Sequence, residues 1–165
     1  MALGKDYAAQ DCAVARALEI VGERWTLLIV RDALYGVRRF SDFHSHLDIP
    51  RAVLSARLAA LVRDGVLAKS GAEYTPTPAG LELFPVIMAL GGWGLRHHAR
   101  GPVQRTFVHA GCGGSLRADS SCTSCGERPP VADVEVHPGP GEPGRDDPVS
   151  VALRKPHRLL EPLRT

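Results

Sequence analysis

Four residues stand out for the chemistry their types and spacing allow: His109, Cys112, Cys122 and Cys125. They form two pairs, each with two residues between its members and each followed by a glycine, Gly113 and Gly126. That spacing closes a tight turn in which backbone N–H groups point at sulfur, and glycine accepts the positive φ the turn demands. The nine residues 113–121 between the pairs suffice for a small hairpin that brings the chain back. One imidazole and three thiolates so arranged point to a tetrahedral Cys3His zinc site of the zinc-ribbon type, one Zn2+ per chain. Four protein ligands leave no open coordination position, so the ion is expected to be structural, in a segment too poor in large apolar residues to fold without it. Three alternatives compete. Cys122 and Cys125 could be a dithiol redox pair, although no βαβ pattern surrounds them. Cys112 could bridge to either, against a reducing compartment. His97, His98 or His137 could replace His109 as the fourth ligand.

The fourth cysteine, Cys12, follows Asp11 at the expected start of a helix, where the dipole lowers a thiol pKa and the neighbouring carboxylate opposes it. It is a candidate redox sensor, and its competing reading is a small apolar residue packed under an interface. No lysine lies within four residues of it. Catalytic motifs are missing from the sequence: there is no nucleophile elbow, phosphate-binding glycine loop or helical zinc-hydrolase motif. An enzyme is therefore not expected.

The elements that must position these groups fall in two regions. Residues 11–100 carry Leu, Val and Ala at helical spacing and read as one domain. From Gly101 glycine and proline become frequent, and 101–141 read as a small β-rich module, followed by a tail of uncertain order, 142–165. A chain of 165 residues, 44% hydrophobic, can build a core of this kind. Met1 to Gln10 lack the apolar run of a secretory signal, and no segment was expected to span a bilayer, so a cytoplasmic protein is anticipated.

In the first region Asp11 reads as the cap of a helix through Val21, ended by Gly22. A second, mostly apolar helix runs from about Trp25 to Leu34. Ser41 opens a short third helix through His46. A fourth follows Pro50 and stops at Gly65, with Leu54, Leu58 and Leu61 on its buried stripe. Residues 66–69 and 73–75 read as two strands joined at Gly71. A long helix from Thr77 or Pro78 through Leu83, Leu90 and Trp93 closes the region. The fold class is mainly α within α+β: a winged helix-turn-helix with a long dimerisation helix and a small zinc-ribbon-like appendix.

The charge pattern suits such a fold. Between Gly36 and Lys69 the positives Arg38, Arg39, Arg51, Arg57, Arg63 and Lys69 exceed the acids Asp42, Asp48 and Asp64 by three, although the whole chain carries only +2. On the fourth helix Ala52, Ser55 and Ala56 lie between arginines, so the backbone can approach a major groove closely.

The run from Cys12 to Gly94 resembles the HxlR-type family of bacterial winged-helix regulators, relatives of the MarR type. The resemblance rests on Cys12–Gly22, Arg24–Ile29, Arg38–Asp42, Val53–Leu58, Asp64–Leu67 and Tyr74–Gly80, in that order. It implies a homodimer, most simply a repressor, on a pseudo-palindromic double-stranded operator, with a recognition helix, Arg51 to Arg63, in each major-groove half-site. It implies base contacts from Ala52, Ser55 and Ala56, flanked by Arg51 and Arg57, and phosphate contacts from Arg38 and Arg39. The wing would send Lys69 to the minor groove, and the first and last helices would pair the protomers. A small-molecule or redox effector is expected, with Cys12 in the sensing position of some family members. Family members often carry a lysine where Ala52 stands and a longer polar residue where Ala56 stands, which weakens the case for direct base readout. A winged helix used only for protein contacts is the alternative.

Overall fold

A computed structural model describes residues 7, 9–98, 101–141 and 144–165. Helix α1, Ala13–Val21, starts one residue later than expected: Cys12, in extended backbone, occupies the cap position that the sequence assigned to Asp11. Gly22 ends the helix by donating its N–H to Leu18. Helix α2, Thr26–Leu34, is the buried one, with Ile29, Val30, Ala33 and Leu34 all in the core. Helix α3, Phe40–Leu47, stops at Asp48, whose left-handed backbone (φ 53°) returns its N–H to His44. Pro50 then starts α4, Arg51–Arg63, which buries Leu54, Leu58 and Leu61 as the i, i+4, i+7 stripe requires. The wing is an antiparallel pair, β1 Leu67–Ser70 and β2 Glu73–Pro76, with Leu67 opposite Pro76 and Ser70 opposite Glu73.

The single long helix expected after the wing is two. Thr77 caps α5, Pro78–Leu81, accepting from the Gly80 N–H at 3.2 Å, and α6 restarts at Phe84 and runs to His97. Pro85 explains the break: it cannot donate to Leu81 and its ring collides with that carbonyl, so it is tolerated only in a new first turn. By length and composition alone, the span Pro78–His97 contains an 18-residue window apolar enough to cross a membrane (mean hydropathy 1.3, 17% of the window buried), against the expectation that no segment would, although Pro85 divides the span between α5 and α6.

The sequence leaves the order of the tail open. Residues 144–165 are built into the fold. Asp147 caps a short helix α7, Pro148–Ala152, and β5, His157–Arg158, joins β3, Arg105–His109, and β4, Val134–Pro138, in an antiparallel sheet of order β3-β4-β5. Val149, Leu153 and Leu159 are fully buried, and α7 packs on α3. Val149, Val151 and Leu153 form a helical turn in which Val149 and Leu153, four apart, face inward and Val151 faces out. The same apolar core takes in Val134 and Val136 of β4 together with α2, α3 and α4. Phe107 of β3 stacks on Tyr35 (6.3 Å between centroids) and meets Phe84 edge-on (5.8 Å). The composition boundary at Gly101 thus does not divide the hydrophobic core.

Candidate nucleic-acid interface and metal cluster

The helix-turn-helix is held from behind by a buried carboxylate. Asp32 of α2 is wholly buried; one oxygen accepts both Nε and Nη2 of Arg31 (2.9 and 2.7 Å), and the other faces Nδ1 of His46 at 2.7 Å. A carboxylate taken out of water needs such partners, and this pair fixes α3 against α2. Neither residue belongs to a local motif, so nothing in the sequence announces the pair.

On the outer face of α4, Arg51, Ala52, Ser55 and Ala56 are exposed together near its N-terminal end. Arg51 lies over the Phe40 ring, 5.3 Å from its centroid, which orients the guanidinium without neutralising it. Arg57 is half-buried and 3.7 Å from Glu23, so part of its charge is already balanced. Arg39 is exposed beside the wing, 3.8 Å from Glu73. Lys69 is exposed at the wing tip with its ammonium 5.5 Å from the Tyr74 ring centre.

Arg38 differs from the role expected of it. Only 9% exposed, it donates to the carbonyls of Ala33 (2.8 Å), Val37 (3.2 Å) and Leu160. Burial pulls its guanidinium below the usual range while Glu73 opposes this. The group is spent on protein carbonyls, so it is not placed to grip a phosphate. Arg38 and Arg39 are adjacent in sequence and opposite in fate.

The four metal-ligand candidates meet. His109 closes β3, Cys112 follows in the turn, and Cys122 and Cys125 lie in a second turn; their donor atoms all fall within 4.8 Å of one another. Cys112 Sγ is 3.3 Å from His109 Nδ1, 3.4 Å from Cys122 Sγ and 3.7 Å from Cys125 Sγ, and Cys125 Sγ is 3.3 Å from the same Nδ1. A tetrahedral ion with metal–sulfur bonds of about 2.3 Å and a metal–nitrogen bond of about 2.0–2.1 Å needs donors roughly 3.5–3.8 Å apart. The residues fit. Gly113 and Gly126 both take positive φ (73° and 77°), the conformation the spacing required of them. The Ser124 N–H points at Cys122 Sγ from 3.4 Å.

One partner of the cluster was not legible in the sequence. Asp133 holds His109 Nε2 at 3.1 Å, which turns Nδ1 toward the sulfurs. A carboxylate behind a ligating histidine fixes its tautomer and orientation. Without metal, the four groups perturb one another. Cys122 is lowered to about 6, first by the Cys125 N–H, and His109 is raised to about 9, first by its contact with Cys122. The other candidate cysteine, Cys12, is exposed, and its thiol is lowered by the N–H groups of Ala15 and then Val14. The alternatives His97 and His98 lie against Trp93, 5.4 and 4.9 Å between ring centroids, and His137 pairs with Glu135 at 2.8 Å.

A helix-turn-helix with a two-stranded wing, a small-residue recognition face and arginines at its edge defines a winged-helix DNA-binding protein. Residues 20–101 match the HxlR-like helix-turn-helix family. Rv3095 of Mycobacterium tuberculosis, an uncharacterised HTH-type transcriptional regulator, is 43% identical over 138 residues, covering 78% of this chain and 87% of the relative. YdeP of Bacillus subtilis, of the same description, is 31% identical over 109 residues, covering 59% of this chain and 85% of the relative. A solved structure of a proposed transcription factor, PA1374 from Pseudomonas aeruginosa, is 42% identical with a TM-score of 0.46, covering 64% of this chain and 77% of that one. The chain belongs to the HxlR-like helix-turn-helix family, and it is a DNA-binding transcriptional regulator rather than an enzyme.

Proposed function

We propose that this protein represses transcription as a homodimer on a pseudo-palindromic operator, with one structural zinc ion in each chain. The observation that carries the DNA half is the exposed row Arg51, Ala52, Ser55 and Ala56 at the leading end of α4. Arg51 and Arg39 contact phosphate and set the register, Ser55 reads a base edge, the two alanines meet thymine methyls, Lys69 reaches the minor groove, and Arg57 contributes less because of Glu23. With so few base-reading side chains, part of the sequence preference comes from DNA shape.

The dimer reading is supported by apolar side chains left on two helices. Val14 and Leu18 of α1, and Val86, Leu90 and Trp93 of α6, are between 43% and 65% exposed. A second copy covering them supplies the burial each helix lacks. Zinc is supported by the donor set and by Asp133; bound there, it would tie together the two turns of the 101–141 module, leaving 11–100 as the DNA-binding and dimerisation part. Cys12, exposed at the start of α1, stands where oxidation would alter that dimer contact.

The test is a gel shift on DNA upstream of the protein's own gene across a salt series. Phosphate-driven binding must weaken linearly in log affinity against log salt, and a specific site must outlast bulk competitor. Binding to neither specific nor competitor DNA at low salt would overturn the reading and leave a protein-interaction module.

A further inference from the structure

Arg158 stands on β5, opposite Glu135 of β4 in the antiparallel ladder. That register offers a cross-strand Arg–Glu pair. The side chains pair otherwise. Glu135 is taken by His137 of its own strand, 2.8 Å away, and Arg158 reaches diagonally to Asp133, two residues before Glu135. Its Nη2 donates to Asp133 Oδ1 and its Nε to the Ala132 carbonyl at 2.7 Å, so the guanidinium is fixed at two points. The other oxygen of the same carboxylate, Oδ2, faces His109 Nε2 at 3.1 Å. Each oxygen has its own partner, and the carboxylate cannot turn toward one without giving up the other. Guanidinium, carboxylate and imidazole form a line that ends at His109 Nδ1, which faces the sulfurs of Cys112 and Cys125.

The second observation lies at the other end of the same short strand. Leu159 is fully buried and donates its N–H to the Val134 carbonyl. Leu160 follows with a left-handed backbone (φ 68°), which a bulky side chain adopts only where its surroundings hold it. Here they do: the Leu160 N–H donates to the Leu34 carbonyl, and its own carbonyl accepts from the Arg38 guanidinium. Both partners belong to the end of α2 and the turn that leads into α3. Two positions therefore separate the side chain that fixes Asp133 from the residue that fastens the C-terminal segment to the helix-turn-helix. A stretch so short and so firmly held has no slack to absorb a shift at either end.

We propose that Arg158 is a positioning residue for the metal cluster: it holds the Asp133 carboxylate against His109, and so couples zinc binding to the docking of residues 157–163 on the turn between α2 and α3. The proposal rests on the zinc reading given above. A carboxylate behind a ligating imidazole sets its orientation and leaves the other ring nitrogen for the ion, and Arg158 sets the carboxylate. Coupling of this kind is reciprocal: what zinc gains from the docked strand, the docked strand gains from zinc. An ion pair with side chains 42% and 32% exposed contributes little to stability by itself. Its effect therefore belongs in the affinity for the metal and in the protection of the segment beyond β5, not in the stability of the metal-free chain.

The full chain is compared with Arg158→Gln and Arg158→Lys. Zinc affinity, read by chelator competition, is expected to fall about threefold to tenfold in Arg158→Gln, less than the loss of a group that touches the ligand itself. Arg158→Lys, which keeps the charge without the two-point fork, should fall between the two. Urea unfolding of the metal-free proteins should be the same for all three. Saturating zinc should slow amide hydrogen exchange at Leu160 and Leu163 at least about fivefold in the wild type and less than about twofold in Arg158→Gln. A wild type that binds no zinc overturns this proposal together with the zinc reading. If the wild type binds zinc, three results overturn the proposal alone: equal zinc affinity in Arg158→Gln, equal slowing of the two amides in both proteins, or a loss of metal-free stability in Arg158→Gln as large as its loss of zinc affinity.

Discussion

The side chain of Arg38 donates to the backbone carbonyl of Leu160, 122 residues further along the chain. Beside it Leu160 and Leu163 return their N–H groups to Leu34 and Gly36 (2.9 and 3.0 Å). Gly36 has φ +97°, and a Cβ there would collide with the Glu161 carbonyl, so the approach needs glycine. The C-terminal segment is thereby sewn to the turn after α2.

Arg38→Ala should cost about 2–3 kcal/mol, because it leaves buried carbonyls that had a charged donor without one. Urea unfolding measures this, and limited proteolysis should cut the 144–165 segment first. The salt dependence of DNA binding should not change. A reduced salt slope with unchanged stability would restore the phosphate role that the sequence assigned to Arg38.

That residue marks the limit of what sequence could show. Leu54, Leu58 and Leu61 announced α4 because their period is local, and the paired spacing of His109, Cys112, Cys122 and Cys125 announced the cluster for the same reason. Arg38 and Arg39 carry the same local signal; the carbonyls of Ala33, Val37 and the distant Leu160, which take up Arg38 alone, separate them. Asp133 and the Asp32–His46 pair are likewise contacts made by folding. The Pro85 break was legible in principle, since proline inside a helical pattern ends it, but the apolar run on both sides outweighed it.

Metal analysis should find about one zinc per chain in the wild type and little in a Cys122→Ser, Cys125→Ser double variant, since one four-ligand site sets the stoichiometry. Asp133→Ala should lower zinc affinity about 10- to 100-fold in a chelator competition, and Asp133→Asn, which keeps an acceptor for Nε2, should lose less. Equal zinc in the double variant would remove the site.

Zinc uptake should release protons. His109, held up at about 9 in the metal-free cluster, is protonated at neutral pH and must lose that proton before Nδ1 can ligate; Cys112, also raised, must lose its own. The bound state therefore carries fewer protons, and affinity must rise as pH increases toward 9. It falls more steeply below about 6, where Cys122 also becomes protonated. Calorimetry in two buffers of different ionisation heat counts the protons. Affinity independent of pH between 6 and 9 would contradict this ligand set.

Leu90→Glu should convert the proposed dimer to a monomer without unfolding it. Leu90 is 51% exposed in the single chain, so the charge stays in water there and is buried only against a partner. Sedimentation gives the mass. Loss of the linked second half-site should reduce affinity for a palindromic operator by about 100-fold, with little effect on a single half-site. An unchanged dimer would move the interface off α6.

The recognition face makes the sharpest division of labour. Arg51 is exposed and held over Phe40 with no acidic partner within 4 Å among the described residues, whereas Arg39 and Arg57 each have one, Glu73 and Glu23. A guanidinium already near a carboxylate releases fewer counterions when it reaches a phosphate. Arg51→Ala should therefore lower the salt slope of binding by about 1 and weaken all sequences alike, and Arg39→Ala should do so by less. Glu73→Gln, by freeing Arg39, should strengthen binding at low salt. Ser55 stands apart from these: exposed on the same face and uncharged, it contributes nothing to the slope, so Ser55→Ala should leave the salt dependence alone while reordering affinity among operator variants changed at one base pair. Parallel loss across every operator variant would show that Ser55 contacts the backbone, and the specificity of this regulator would then rest on DNA shape.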